Sequence, residues 1–442
     1  MFENIVIIVV LLIFLYLLMM GQYISSLLLT VGILGIFLLG GLELLNGFIQ
    51  SEPFNRTASY ALTTIPLYIL MAQFIMQAGI VKDLYGLFYR LSRGRRSVLS
   101  VLTIVLGGLL GGVSGSGTAT SAALGQIAVP ELKRRGYPDN LAGTIAASAG
   151  SLSSIIPPSI FLIIYGVVAQ ISIGQLFTAA IIPGILLVIV FSLTTIAYLQ
   201  VYKKRMEITT GTNETAATIE DEHTPVSRYV VVVLAGTLMM AAIFGGIYTG
   251  FFTPTEAGAV GAFIALILAL LLRKVNKAFI KESFSETVKV TVMAMFIVIG
   301  ASLFGRFISL SLVPRKIIDL LGPLMETPLL VLAIIMLIYF FLFMFIEGVA
   351  VILMTVPIIS PMLDTMNIDP LWFGIMLTVV CTLGMLTPPV GISVYVVGGV
   401  SNIPIERLFP TSMVYAAVAM FFVIGTLLVF PELVTWLPSQ MK

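Results

Sequence analysis

The chain has 442 residues, 59% of them hydrophobic and only 10% charged, with a formal net charge of +2. That composition excludes a soluble globular enzyme, gives no reason to expect a nucleic-acid partner, and sets the class as an all-α polytopic membrane protein in a lipid bilayer. A single cysteine, Cys381, excludes disulfides and cysteine-based metal sites, and a single histidine, His223, lies in a polar connector.

Apolar runs at residues 3–20, 23–42 and 57–78 predict three spans. Met1–Met20 lacks a basic leader and an A-x-A site, so it reads as a retained span and not as a signal peptide. Residues 79–97 alternate apolar and basic residues at helical spacing, the pattern of an amphipathic arm at the interface. Residues 98–130 follow, with the small and hydroxyl run Ser114-Gly115-Ser116-Gly117-Thr118 between two apolar segments. Each segment is shorter than the ~20 residues a span needs, and Arg93, Arg95 and Arg96 before them match Lys133, Arg134 and Arg135 after. Both ends therefore lie on one, cytoplasmic side, and the stretch is predicted to be a re-entrant hairpin. A turn at that depth must be buried in protein or line a watery cavity.

A span at 140–168 is interrupted at Ser151–Pro158, where two prolines remove two N–H donors. An apolar segment at 172–202 ends in Lys203-Lys204-Arg205, and residues 206–228 form a polar linker. The second half repeats the series. Spans are predicted at 229–250, 255–272 and 288–312, with amphipathic stretches at 274–286 and 314–326. A hairpin at 328–366 turns near Glu347–Ala350, a span at 370–399 breaks at Gly384–Pro389, and the last span ends near Pro431.

One shift of 231 residues carries Pro157-Pro158 onto Pro388-Pro389, Pro130 onto Pro361, Gly117 onto Gly348 and Ala119 onto Ala350. The chain thus divides into a first repeat at 1–205, a linker at 206–228 and a second repeat at 229–442. Five crossings per repeat is an odd number, so the second repeat is inverted and both termini lie outside. On that topology 18 basic residues fall in cytoplasmic segments and four outside, with Arg306 left inside a span. The positive-inside rule expects this asymmetry.

Inverted hairpin tips and helix breaks meet near the midplane in transporters, where half-helix ends offer carbonyls to cations and N–H groups to anions. The hydroxyls of Ser114, Ser116, Thr118, Ser151, Ser153, Ser154 and Thr387 suit a small hard cation such as Na⁺, and the glycines let carbonyls approach. The proline pairs are expected to start the second half-helices, where a missing N–H costs nothing. The N-termini following Pro158-Ser159 and Pro389 are candidates to hold an anionic substrate group. Glu347 is a carboxylate at membrane depth: a cation ligand, a proton carrier, or a structural acceptor of helix-start N–H bonds. Arg306 is either a snorkelling residue or a forked partner for a substrate carboxylate.

The Ser114–Gly117 tip, the Pro130-Glu131…Gly136-Tyr137 exit, the Ile155-Ile156-Pro157-Pro158-Ser159 break, Ile368-Asp369-Pro370, and Leu386-Thr387-Pro388-Pro389-Val390-Gly391 resemble the large membrane subunit of TRAP (tripartite ATP-independent periplasmic) transporters. The resemblance covers essentially the whole chain. It implies an elevator-type fold, with a scaffold and a transport domain that carries both hairpins. It also implies Na⁺-coupled uptake of an organic acid across the bacterial inner membrane. The expected partners are a small four-span membrane subunit and a periplasmic substrate-binding protein, with Na⁺ as coupling ion and no cofactor. Carried over, the cation sites are Ser114, Gly115, Ser116, Gly117 and Thr118 with Ser154, Ile155 and Pro157, and Glu347, Gly348 and Ala350 with Gly384, Met385 and Thr387. Family members often have a hydroxyl residue where this chain has Gly348, so backbone carbonyls would serve there.

Two rivals come from other classes. Gly112-Val113-Ser114-Gly115 matches a serine-hydrolase pattern, but such an enzyme needs a base beside its serine, and the single histidine, His223, is in the 206–228 connector, outside the membrane. A self-sufficient Na⁺/dicarboxylate symporter or Na⁺/H⁺ antiporter of similar fold would share the core chemistry and differ in partners.

Overall fold

A computed structural model describes residues 2–93, 95–209, 226–322 and 327–441. Most of the polar linker, His223 included, lies outside these residues. Among the described residues there is no strand. The first half comprises α1 (Phe2–Met19), α2 (Ile24–Thr57), α3 (Thr64–Gln77), α4 (Ile80–Leu91), α5 (Arg96–Ser114), α6 (Gly117–Arg134), α7 (Asp139–Ser151), α8 (Ile160–Ala169), α9 (Ile173–Ala179) and α10 (Ile181–Thr209). The second comprises α11 (Val226–Tyr248), α12 (Pro254–Leu271), α13 (Lys277–Leu310), α14 (Val313–Leu321), α15 (Pro328–Phe345), α16 (Gly348–Thr365), α17 (Pro370–Gly384), α18 (Ile392–Ser401), α19 (Ile405–Val429) and α20 (Glu432–Ser439). Nine described helical segments are long and apolar enough to cross a membrane.

The 231-residue shift maps α6 onto α16 from end to end, Gly117 to Gly348 and Arg134 to Thr365. It also maps the left-handed residues that follow these helices, Gly136 (φ 75°) and Asn367 (φ 52°). Both proline pairs carry a cis peptide bond.

Several boundaries differ from the sequence expectation. The second span ends where expected, because the backbone leaves helical geometry at Gly41, whose φ of 70° and ψ of −171° a side chain would disfavour; past this kink a further helical stretch that was not expected runs to Thr57. In the second half the amphipathic stretch and the third span are one helix, α13, because Asn276 caps it by accepting the Phe279 N–H at 2.8 Å and nothing interrupts it before Leu310. The segment at 172–202 is divided at Ala180, and a further helix, α20, follows Pro431. The hairpin arms are 18 or 19 residues long, about 27 Å at 1.5 Å per residue, so shortness is not what makes them hairpins. Polar residues at their outer ends are helical too. Nor do the proline pairs start the second half-helices: they sit in the linkers, ahead of Ile160 and Ile392.

Glycine governs the tight crossings. A Cβ on Gly32 would stand 2.7 Å from the Phe304 nitrogen, and one on Gly300 2.8 Å from the Ser25 carbonyl, so α2 and α13 touch backbone to backbone. Between the halves the packing is reciprocal: α6 lies on α18 and α16 on α8. Each hairpin is thereby seated on the broken helix of the other repeat, and this brings tips to breaks.

Candidate functional site

Both hairpin tips are built by a side chain that caps the returning helix. Ser116 Oγ accepts the Ala119 N–H at 3.4 Å, and Glu347 Oε2 accepts the Ala350 N–H at 3.3 Å. Ser116 and Glu347 are equivalent under the repeat shift, as are Ala119 and Ala350. Of the three roles open to Glu347, the structure displays the helix-start acceptor. Each tip is also tied to a half-helix start: the Ile160 N–H donates to the Gly115 carbonyl at 3.2 Å, and the Gly391 N–H to the Met344 carbonyl at 3.4 Å.

The tips and breaks surround one cleft of about 280 Å³. Its polar wall is Gly115, Ser116, Gly117 and Thr118 from the first tip, Ser154 from the first break, and Glu347 and Gly348 from the second tip. Met385, from the second break, meets Ser154, whose Oγ donates to Met385 Sδ at 3.3 Å. These two residues are themselves related by the repeat shift, so the pseudo-twofold axis runs through the cleft. Behind the first tip lies a chain of hydroxyls. Ser114 Oγ and Ser153 Oγ reach Thr120 Oγ1 at 2.5 and 2.8 Å, and Ser116 Oγ reaches Thr118 Oγ1 at 3.0 Å. Hydroxyl and carbonyl oxygens at this density could hold a small hard cation.

The other sequence candidates are placed elsewhere. Ile155 and Ala350 are buried, and Gly384 packs on Phe343, where a Cβ would come within 2.5 Å. Thr387 Oγ1 is bonded to the Leu383 carbonyl of its own helix at 2.8 Å, and Ser159 Oγ donates to the Ser154 carbonyl at 2.6 Å. Pro157 lines a separate apolar groove against α10 and α11, Pro158 is buried and Pro389 is exposed. Sequence reading missed Cys381, which lies against Gly348 of the second tip, and the opposite wall: Val290, Met293, Ala294 and Ile297 of α13, with Tyr23–Ser25. Unbroken helix gives no local signal, and only packing reveals that wall.

Arg306 does not reach the cleft. Its Nε and Nη2 both lie 2.6 Å from Glu52 Oε1, while Arg56 Nε holds Oε2 of the same carboxylate at 3.1 Å. The guanidinium also stands 5.5 Å from the centre of the Phe48 ring. Glu52 is buried on α2, and the arginine serves as its counter-charge. Arg306→Gln should leave the substrate concentration for half-maximal uptake unchanged and lower the melting temperature. The expected loss is about 1–3 kcal/mol, because Arg56 remains to pair Glu52. A raised half-saturation with unaltered stability would restore the anchoring role.

Re-entrant tips that meet broken helices around a polar cleft define a membrane transport protein. Residues 11–433 match the family model of the tripartite ATP-independent periplasmic transporter, DctM component. The chain is 31% identical to the sialic acid TRAP transporter large permease protein SiaM of Vibrio cholerae, covering 89% of each chain. It is 30% identical to the C4-dicarboxylate TRAP transporter large permease protein DctM of Pseudomonas aeruginosa, over 87% of this chain and 86% of that one. The solved YdaH transporter of Alcanivorax borkumensis aligns over 97% of both chains with a TM-score of 0.69 and 15% identity, a likeness of fold alone. The chain belongs to the DctM family: it is a TRAP transporter large permease subunit, a multi-pass inner membrane protein.

Proposed function

We propose that this subunit carries an organic acid into the cell by Na⁺-coupled elevator transport. The observation that supports it most is the convergence of both tips and both breaks on one cleft, with clustered hydroxyls on the first-repeat side. Na⁺ would sit among Ser114–Thr118 and Ser154, and carbonyls beside Glu347–Ala350 and Gly384–Thr387 would offer a second cation position. With both termini outside, the connections between α1 and α2 and between α12 and α13 lie on the cytoplasmic side. Hairpins and broken helices form the moving body and α2, α3, α12 and α13 the scaffold. Family membership supports a periplasmic binding protein as the source of substrate and a small four-span membrane subunit as partner. The relatives' sialic acid and C4-dicarboxylate suggest a carboxylate as substrate.

In proteoliposomes with both partners present, substrate uptake should stop when a sodium ionophore collapses the Na⁺ gradient, and should need no ATP. Uptake that continues at the parent rate without sodium would overturn the coupling. Orientation is tested separately with the equivalent exposed positions Arg134 and Thr365. In a Cys381→Ser background, Arg134→Cys should react with an impermeant maleimide only from the cytoplasmic side and Thr365→Cys only from outside. Labelling of both from one side would remove the inverted repeat.

A further inference from the structure

Away from the cleft, α10 and α19 enclose a groove of about 520 Å³ lined almost wholly by hydrocarbon. Its floor holds Val190 and Thr194, both buried, and Thr194 commits its hydroxyl to the Val190 carbonyl at 2.7 Å. Its rim is Leu193, Val201, Val414 and Phe422, all exposed. Polar contacts on the inner side hold the two helices in register: Thr195 Oγ1 to Tyr415 Oη at 2.6 Å, and Asn140 Nδ2 to Thr411 Oγ1 at 2.9 Å and to Tyr198 Oη at 3.2 Å. A π-helical turn at Met420–Ile424 widens α19 where Phe422 closes the groove. The groove is therefore a fixed feature of two spans.

One end of this groove is basic. Arg407 is exposed and continues the helical stripe Thr411, Val414, Val418, Phe422 by one turn, and Glu406 lies about 100° away around the helix. In sequence, Lys203, Lys204 and Arg205 come two to four residues after Val201 on α10. A hydrocarbon slot that ends in cationic residues at a bilayer interface matches an acyl chain with an anionic head group.

We infer that the α10–α19 groove is a binding site for an anionic phospholipid, its acyl chain along Val414, Val418 and Phe422 and its phosphate at Arg407. The choice of leaflet, the cytoplasmic one, rests on the orientation proposed above; the site itself does not. The bound chain packs the slot between α10 and α19, beside the broken helix α7.

Native mass spectrometry of the purified permease, with whatever membrane partner co-purifies, tests this using phosphatidylglycerol and phosphatidylcholine of identical chains. The parent should retain phosphatidylglycerol about fivefold more tightly, the contribution of roughly one interfacial basic residue. Arg407→Gln, alone and with glutamine at positions 203–205, should erase that preference while lipid is still retained. Val418→Trp, which fills the slot, should lose the tightest-bound lipid altogether. A second readout does not depend on these variants: a tryptophan placed on the rim by Leu193→Trp should be quenched by chain-brominated phosphatidylglycerol more than by brominated phosphatidylcholine, and high salt should remove the difference. Parent-like lipid retention in Val418→Trp, or no quenching at residue 193 because a protein partner covers the groove, would overturn the inference.

Discussion

Gly150→Val is expected to remove folded permease from the membrane almost completely. A Cβ at Gly150 would stand 2.1 Å from Ser121 Oγ and, more tellingly, 2.6 Å from the Ser121 Cα and 2.7 Å from its nitrogen. A side-chain tip can rotate away, but backbone atoms can move only if α6 separates from α7. That separation would also break the Ser153–Thr120 hydroxyl contact behind the first tip. Overpacking of this kind costs about 3 kcal/mol or more, a large share of the stability of most folds. Size-exclusion profiles and melting curves should show aggregate in place of a monodisperse species. Gly245→Val, on α11 with nothing within 4 Å, should behave like the parent. If the two variants proved equally stable, α6 and α7 would not be packed as described.

Ser116→Ala with Ser154→Ala should raise the sodium concentration for half-maximal uptake by tenfold or more. Ser154 Oγ has sulfur partners, the Met385 thioether at 3.3 Å and the Cys381 thiol, both weak, so its oxygen is available to a cation at little cost. Ser116 Oγ shares the cleft wall and caps α6 over a long 3.4 Å bond. An oxygen contact to a charged group contributes ~1.5–3 kcal/mol, and neighbouring ligands do not add independently, so the pair is expected to exceed either single variant without reaching their product. Thr387→Ala is the contrasting case. Its hydroxyl is satisfied by the Leu383 carbonyl, and sodium dependence should hardly change. A shift in Thr387→Ala with none in the double variant would exchange the roles of the two breaks.

Much of this site is legible in the sequence. Prolines cannot donate to a helix ladder, so Pro157-Pro158 and Pro388-Pro389 marked both breaks, and their common spacing marked the repeat. Ser116, Gly117, Ser154, Glu347, Gly348 and Met385 were all anticipated, and all line the cleft. Other placements were not legible. Thr387 looks like Ser154 on paper, yet the repeat equivalent of Ser154 is Met385: Thr387 sits two residues further on and bonds into its own helix, while Ser154 lines the cleft. Arg306 showed as a charge within an apolar run. Its partner Glu52 lies 254 residues away on a helix whose continuation past Gly41 no apolar pattern announced.

The sequence by itself determined the membrane class, the repeat, the places where helices must break and the chemistry offered there. Those follow from local rules: length of apolar runs, missing N–H groups, flanking charge. Only the tertiary structure decided that α6 rests on α18 and α16 on α8, which opposite wall faces the tips, and which polar side chains are already satisfied. Such choices depend on backbone approach at glycines and on partners hundreds of residues apart, and neither leaves a periodic trace along the chain.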